Sequence, residues 1–65
     1  MYKSKMRKIR IQMGLTLEDI SNITGLSVGY LSHLELGTRK NPSTEVMDKI
    51  AFALKKSISE IFFSD

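Results

Sequence analysis

Three residues, Gly25, Leu26 and Ser27, most tightly limit how this chain folds, because they alone separate two segments of helical periodicity. Upstream, Leu17, Ile20, Ile23 and Thr24 supply an inner face at helical spacing; downstream, Val28, Leu31 and Leu34 fall on one side. So short a connection cannot lay two helices side by side as a long hairpin. It forces a steep crossing. Gly25 suits the turn, where a backbone position needs positive φ and a Cβ is penalised. Ser27 can cap the second helix and Gly37 closes it.

The same logic extends outward from that turn. Met6, Ile9 and Met13 recur at helical spacing inside a basic segment that Gly14 is placed to end, which predicts helix 1 at about residues 4–13. Thr16 reads as the N-cap of helix 2, with Asp19 three residues on as an imperfect capping box, and helix 2 ends at Gly25. After Gly37, Pro42 disfavours helix at Asn41, and Ser43 can cap helix 4, whose stripe is Val46, Met47, Ile50, Ala51 and Leu54. Ser57 and Glu60 form a capping box opening helix 5, with Ile58, Ile61 and Phe62 inward. No strand-like alternation or repeat appears. The expectation is a single all-α domain of five short helices across residues 1–65.

Charge and composition narrow the function. Ten Lys and Arg against seven Asp and Glu give a net charge of +3, which permits an anionic partner. Lys3, Lys5, Arg7, Lys8 and Arg10 crowd the first ten residues, whereas residues 16–38 hold Glu18, Asp19 and Glu35 and no Lys or Arg. Any grip on phosphates must therefore come from the flanks. Cysteine is absent and there is one histidine, so neither a disulfide nor a metal site is expected, and a reducing cytoplasm is the natural setting. The apolar runs fall far short of the roughly 18 residues of a membrane span, and the basic start lacks the apolar segment of a secretory signal. His33 has no cysteine partner and the serines have no evident base. An enzyme is not expected, nor is a cofactor.

In its ordered motifs the chain resembles the helix-turn-helix family of the phage lambda Cro and C1 repressor type, also called the XRE family. The likeness runs over residues 5–63, through MRKIRIQMGLTLEDIS, TGLSVGYLSHLELGTRKNPS and MDKIAFALKKSISEIF. Ser21, Gly25, Leu26, Leu31 and Leu34 match the motif's small, glycine and apolar places, while Thr24 stands where an aliphatic is usual. The resemblance implies a compact five-helix, lambda-repressor-like DNA-binding domain, with helices 2 and 3 as the helix-turn-helix. Helix 2 would cross the phosphate backbone and helix 3 would enter the major groove of double-stranded DNA.

Carried over residue by residue, the resemblance implies base reading by Ser27, Val28, Gly29, Ser32 and His33. Val28 would touch a thymine methyl, and His33 would donate to or accept from a base edge. Phosphate contacts would fall to Thr16, Leu17, Tyr30, Arg39, Lys40, Asn41 and Ser43. Leu17 and Leu36 depart from the polar residues usual at their places, which leaves backbone N–H groups at the helix N-terminus as phosphate donors. Arg10 and Glu35 would form an ion pair joining helix 1 to helix 3.

Helical geometry singles out one more surface. Phe52 lies about 160° from the centre of the helix 4 stripe, and Phe63 is displaced in the same way beside Phe62. Both are expected to be exposed in a monomer and to form an isologous homodimer patch, setting two recognition helices about one DNA turn apart on a palindromic site. The expected function is a small cytoplasmic transcriptional regulator, repressor-like, with a regulatory protein as a further candidate partner. The alternative is a protein-interaction module of the same fold, supported by the uncharged, Leu36-flanked helix 3.

Overall fold

The computed structural model describes residues 4–38 and 42–63. Within them run α1 (Met6–Gln12), α2 (Leu17–Thr24), α3 (Val28–Leu36), α4 (Thr44–Leu54) and a closing π-helical turn, Ser59–Phe63. Among the described residues there is no strand.

Side-chain oxygens open the later helices. Thr16 Oγ1 accepts from the Asp19 N–H at 3.0 Å while Asp19 Oδ2 accepts from the Thr16 N–H at 2.8 Å, so the capping box is complete in both directions. Ser27 accepts from the Tyr30 N–H at 3.1 Å and Ser43 from the Val46 N–H at 3.2 Å. Ser57 and Glu60 make a second reciprocal box. The Ser57 backbone N–H, and after it the Ser57 hydroxyl, hold the Glu60 carboxyl below its usual pKa. Its contribution is therefore present above the ordinary carboxylate pKa and is lost as pH falls through the lower folded value.

α2 and α3 end on Gly25 and Gly37, both in the left-handed region. α4 ends on Lys55, which takes the same conformation with φ of 56° and no glycine to signal it.

The core gathers one or more residues from every element. Met6 and Ile9 of α1, Ile20 of α2, Leu31 and Leu34 of α3, Ile50, Ala53 and Leu54 of α4, and Ile61 and Phe62 of the last turn are buried together. A backbone bond from the Lys5 N–H to the Ile61 carbonyl, 2.8 Å long, ties the two ends of the described chain.

Several sequence expectations are corrected by this packing. α1 is shorter than 4–13, and Met13 lies at its C-cap, exposed, because the chain turns away there toward α2. Ile23 is exposed as well: at 100° per residue it sits about 80° from the direction that Ile20 and Thr24 share. Val28 is exposed on the shoulder of α3, and Glu35 takes the buried place beside Leu31 and Leu34. The last element is a π-helical turn instead of an ordinary helix.

Glu35 is buried because Arg10 meets it. The guanidinium donates from Nε to Glu35 Oε2 at 2.7 Å and from Nη2 to Oε1 at 3.2 Å, and its Nη1 donates to the Leu15 carbonyl at 2.8 Å. One side chain thus fixes α1, the loop before α2 and the back of α3 in two-pronged geometry. The Arg10 pKa rises further above its usual value, chiefly through the Glu35 hydrogen bond, with desolvation opposing.

The turn between α2 and α3 has its own latch. The Thr24 hydroxyl donates to the Ile20 carbonyl at 2.8 Å and accepts from the Leu26 N–H at 3.1 Å, while Gly25 N–H reaches the Ser21 carbonyl at 2.8 Å. An aliphatic at position 24 would leave the Leu26 N–H without that acceptor.

The side chains of Arg10 and Glu35 retain only 13% and 5% of their accessible surface. Removing either partner strands the other, so Arg10→Met and Glu35→Leu should each lose about 3–5 kcal/mol in chemical denaturation. The double variant, which removes both charges, should recover most of that loss.

Candidate nucleic-acid interface

The direction of α3 is set by the three residues it buries. Leu31, Leu34 and Glu35 face inward, so the opposite side of the helix carries Gly29, His33 and Leu36 at its centre, with Val28 and Ser32 on one edge. Ser27 stands exposed at the head of the helix, where it caps the Tyr30 N–H and still has a hydroxyl proton to donate. Tyr30 is half-buried and packs its ring against the core. The structure therefore puts Gly29 and His33 at the centre of the accessible surface, Val28 and half-buried Ser32 along its edge, and Ser27 at its head.

Gly29 has no role in the packing of its own chain. A Cβ built there meets nothing within 4 Å, and its φ is not in the left-handed region. A helical glycine in open space costs stability relative to alanine without a compensating contact.

His33 is anchored at the far end of the helix. Its Nδ1 lies 2.8 Å from Thr38 Oγ1, and the Thr38 N–H and hydroxyl approach the His33 carbonyl at 3.0 and 3.2 Å. Sequence reasoning missed Thr38; the signal was a hydroxyl-bearing residue immediately after the glycine that closes the helix. It also missed Asn22, which lines a shallow crevice with Glu18, Asp19, Ser21 and Val28 at the mouth of the α2–α3 pair.

The phosphate candidates are scattered over several elements. Thr16 and Ser43 cap α2 and α4, Leu17 is half-buried at the start of α2, and Arg39, Lys40 and Asn41 lie outside the described residues. The Thr16 N–H is already committed to Asp19, although its hydroxyl proton is available. Glu18 and Asp19 make the head of α2 locally acidic. Exposed cations among the described residues sit on other elements, Arg7 and Lys8 on α1, Lys49 on α4, and Lys55 and Lys56 just after it.

A second exposed surface lies on α4 and the closing turn. Phe52 is 79% exposed and Phe63 66%. Phe52 borders a shallow groove with Ile23, Ala51 and Ala53, rimmed by Asp48 and Glu60 and by Lys55 and Lys56. Phe63 is not among the described residues that line it.

Comparison with known proteins adds to this geometry. A helix-turn-helix family model matches residues 6–61. The chain is 39% identical over 56 residues to the transcriptional regulator ClgR of Mycobacterium tuberculosis, a match covering 86% of this chain and 49% of that protein. It is similar in structure to the restriction-modification controller protein C.AhdI from Aeromonas hydrophila, with a TM-score of 0.80 and 32% identity over 86% of this chain and 83% of the other. The clp gene regulator ClgR from C. glutamicum follows, with a TM-score of 0.76 and 33% identity over 85% and 70%. The chain spans half or less of the length of the curated relatives it matches. Sequence match, steep α2–α3 turn and shared all-helical fold agree: the chain belongs to the XRE family, the helix-turn-helix proteins of the Cro and C1 repressor type.

Proposed function

We propose that residues 1–65 are the DNA-binding domain of a small cytoplasmic transcriptional regulator, repressor-like, which grips a palindromic duplex as a homodimer. α3 enters the major groove, and α2 crosses the backbone. The observation that carries this reading is the outward surface of α3: Gly29 and His33 are exposed at its front and Val28 at its edge, while Leu31, Leu34 and Glu35 hold it from behind. The roles of these relatives, regulators of transcription or of a gene system, support it.

In this reading Val28 contacts a thymine methyl, Ser27, Ser32 and His33 meet polar base edges, and Gly29 admits a close backbone approach. Thr16, Leu17, Tyr30, Arg39, Lys40, Asn41 and Ser43 take the phosphates. Phe52 and Phe63 belong to the dimer contact, and the mixed charges around Phe52 suit a self-complementary patch.

One observation favours a second reading. Leu36 is 58% exposed near the centre of the outward face, where an apolar side chain suits a protein partner. Salt separates the two. Duplex binding loses affinity steeply, by about 0.9 in log affinity per log salt for each phosphate neutralised, whereas an apolar protein contact does not.

Selection from random duplexes should enrich a two-fold-symmetric site whose affinity falls steeply with salt. Sequence-blind retention, or none, would sink the leading reading. Gly29→Ala should stabilise the free chain by about 0.5–1 kcal/mol in thermal unfolding and weaken binding to the selected site; unchanged binding would show that the glycine serves no contact. Phe52→Glu should convert a dimer to a monomer in sedimentation. A chain that sediments as a monomer whether or not Phe52 is changed would remove the dimer.

A further inference from the structure

His33 is the only histidine in the chain, and the contacts of its Nδ1 edge bear on which ring nitrogen carries the proton. Gly37, with φ of 79°, reverses the chain at the end of α3 and swings Thr38 back toward the last turn. There the Thr38 N–H donates to the His33 carbonyl at 3.0 Å, and the Thr38 hydroxyl donates to the same carbonyl at 3.2 Å. A carbonyl oxygen can only accept. The hydroxyl has one proton, and this contact uses it.

The same hydroxyl oxygen lies 2.8 Å from His33 Nδ1. With its proton directed at the carbonyl it offers a lone pair to the ring, and Nδ1 is then the donor. In the opposite assignment the hydroxyl proton turns to Nδ1, and the His33 carbonyl is left to the Gly37 and Thr38 N–H groups that also reach it. A neutral imidazole protonated at Nδ1 has a bare Nε2. His33 is exposed on the outward face of α3, one turn beyond Gly29, with its Nδ1 edge tied to the helix end.

We infer that Thr38 is a positioning residue that holds His33 in the Nδ1–H form, so that Nε2 is presented as an acceptor to a base bearing an exocyclic amine. This rests on the reading of α3 as the groove helix. In the major groove adenine N6 and cytosine N4 donate, whereas the guanine and thymine edges only accept. Position 33 therefore selects adenine or cytosine. The chain Gly37, Thr38, His33 converts a helix-ending turn into a choice of base.

The test has two arms, both made with the ring neutral. In the free 65-residue chain, nitrogen NMR of the single imidazole should show a protonated Nδ1 and a bare Nε2. Thr38→Val should shift the proton toward Nε2, and Thr38→Ser should restore it, which a purely structural threonine would not require. On the duplex recovered by selection, the base pair whose identity ceases to matter in His33→Ala should carry adenine or cytosine on the contacted strand. Exchange for guanine or thymine should cost about tenfold or more in affinity, a preference lost in Thr38→Val and kept in Thr38→Ser. A protonated Nε2 in the free wild-type chain, or a preference for guanine or thymine, overturns the inference. If no duplex is retained, the proposed function and the base assignment fall together, and the tautomer is judged by the spectrum alone.

Discussion

The fork between Arg10 and Glu35 is the contact on which the rest of the arrangement depends. It joins α1 to the inward side of α3, and its third prong reaches the Leu15 carbonyl just ahead of the Thr16 cap. α3 buries only two aliphatic side chains fully, Leu31 and Leu34, which resist its translation but do little to fix its rotation. A two-pronged ion pair is directional, and so supplies what apolar packing lacks. With the back of α3 fixed, its front is fixed as well, and Gly29, His33 and Leu36 point outward as a consequence.

Much of this was legible in the sequence because the signals are local. Thr16, Ser27, Ser43 and Ser57 cap the elements they precede, and Gly25 and Gly37 close theirs, since each acts within three or four residues of itself. What escaped depends on tertiary direction. Ile23 and Val28 have helical spacing, yet each falls beside the buried direction, since periodicity gives a face but not its centre, and Met13, in line with Met6 and Ile9, is exposed because α1 has already ended. Lys55 ends α4 in a conformation that its side chain does not advertise. Thr24 looked like an apolar place filled by a substitute, whereas its hydroxyl latches the turn from both sides.

The candidate interface was legible as a set of positions and illegible as a set of hydrogen bonds. The resemblance marked His33 without saying whether it donates or accepts; the contact that bears on that choice is with Thr38, five residues on and beyond the helix end. The electrostatics follow a similar course. The sequence already placed no cation between residues 16 and 38, and the fold adds that Glu18 and Asp19 stand at the mouth of the α2–α3 pair. In the proposed complex, attraction to phosphate must then come from cations outside that pair, such as Arg7 and Lys8 on α1. The helix-turn-helix itself is left to discriminate among sequences.

The central claim is that the outward side of α3 is the surface that meets DNA. Backbone amide chemical shifts of the chain, followed as a selected palindromic duplex is added, test it most directly. The account predicts that the largest changes fall on residues 27–33 and at the head of α2 around residues 16–18, with little change inside the Leu31 and Leu34 core. Changes confined to the Phe52 surface, with residues 27–33 unmoved at saturation, would contradict it.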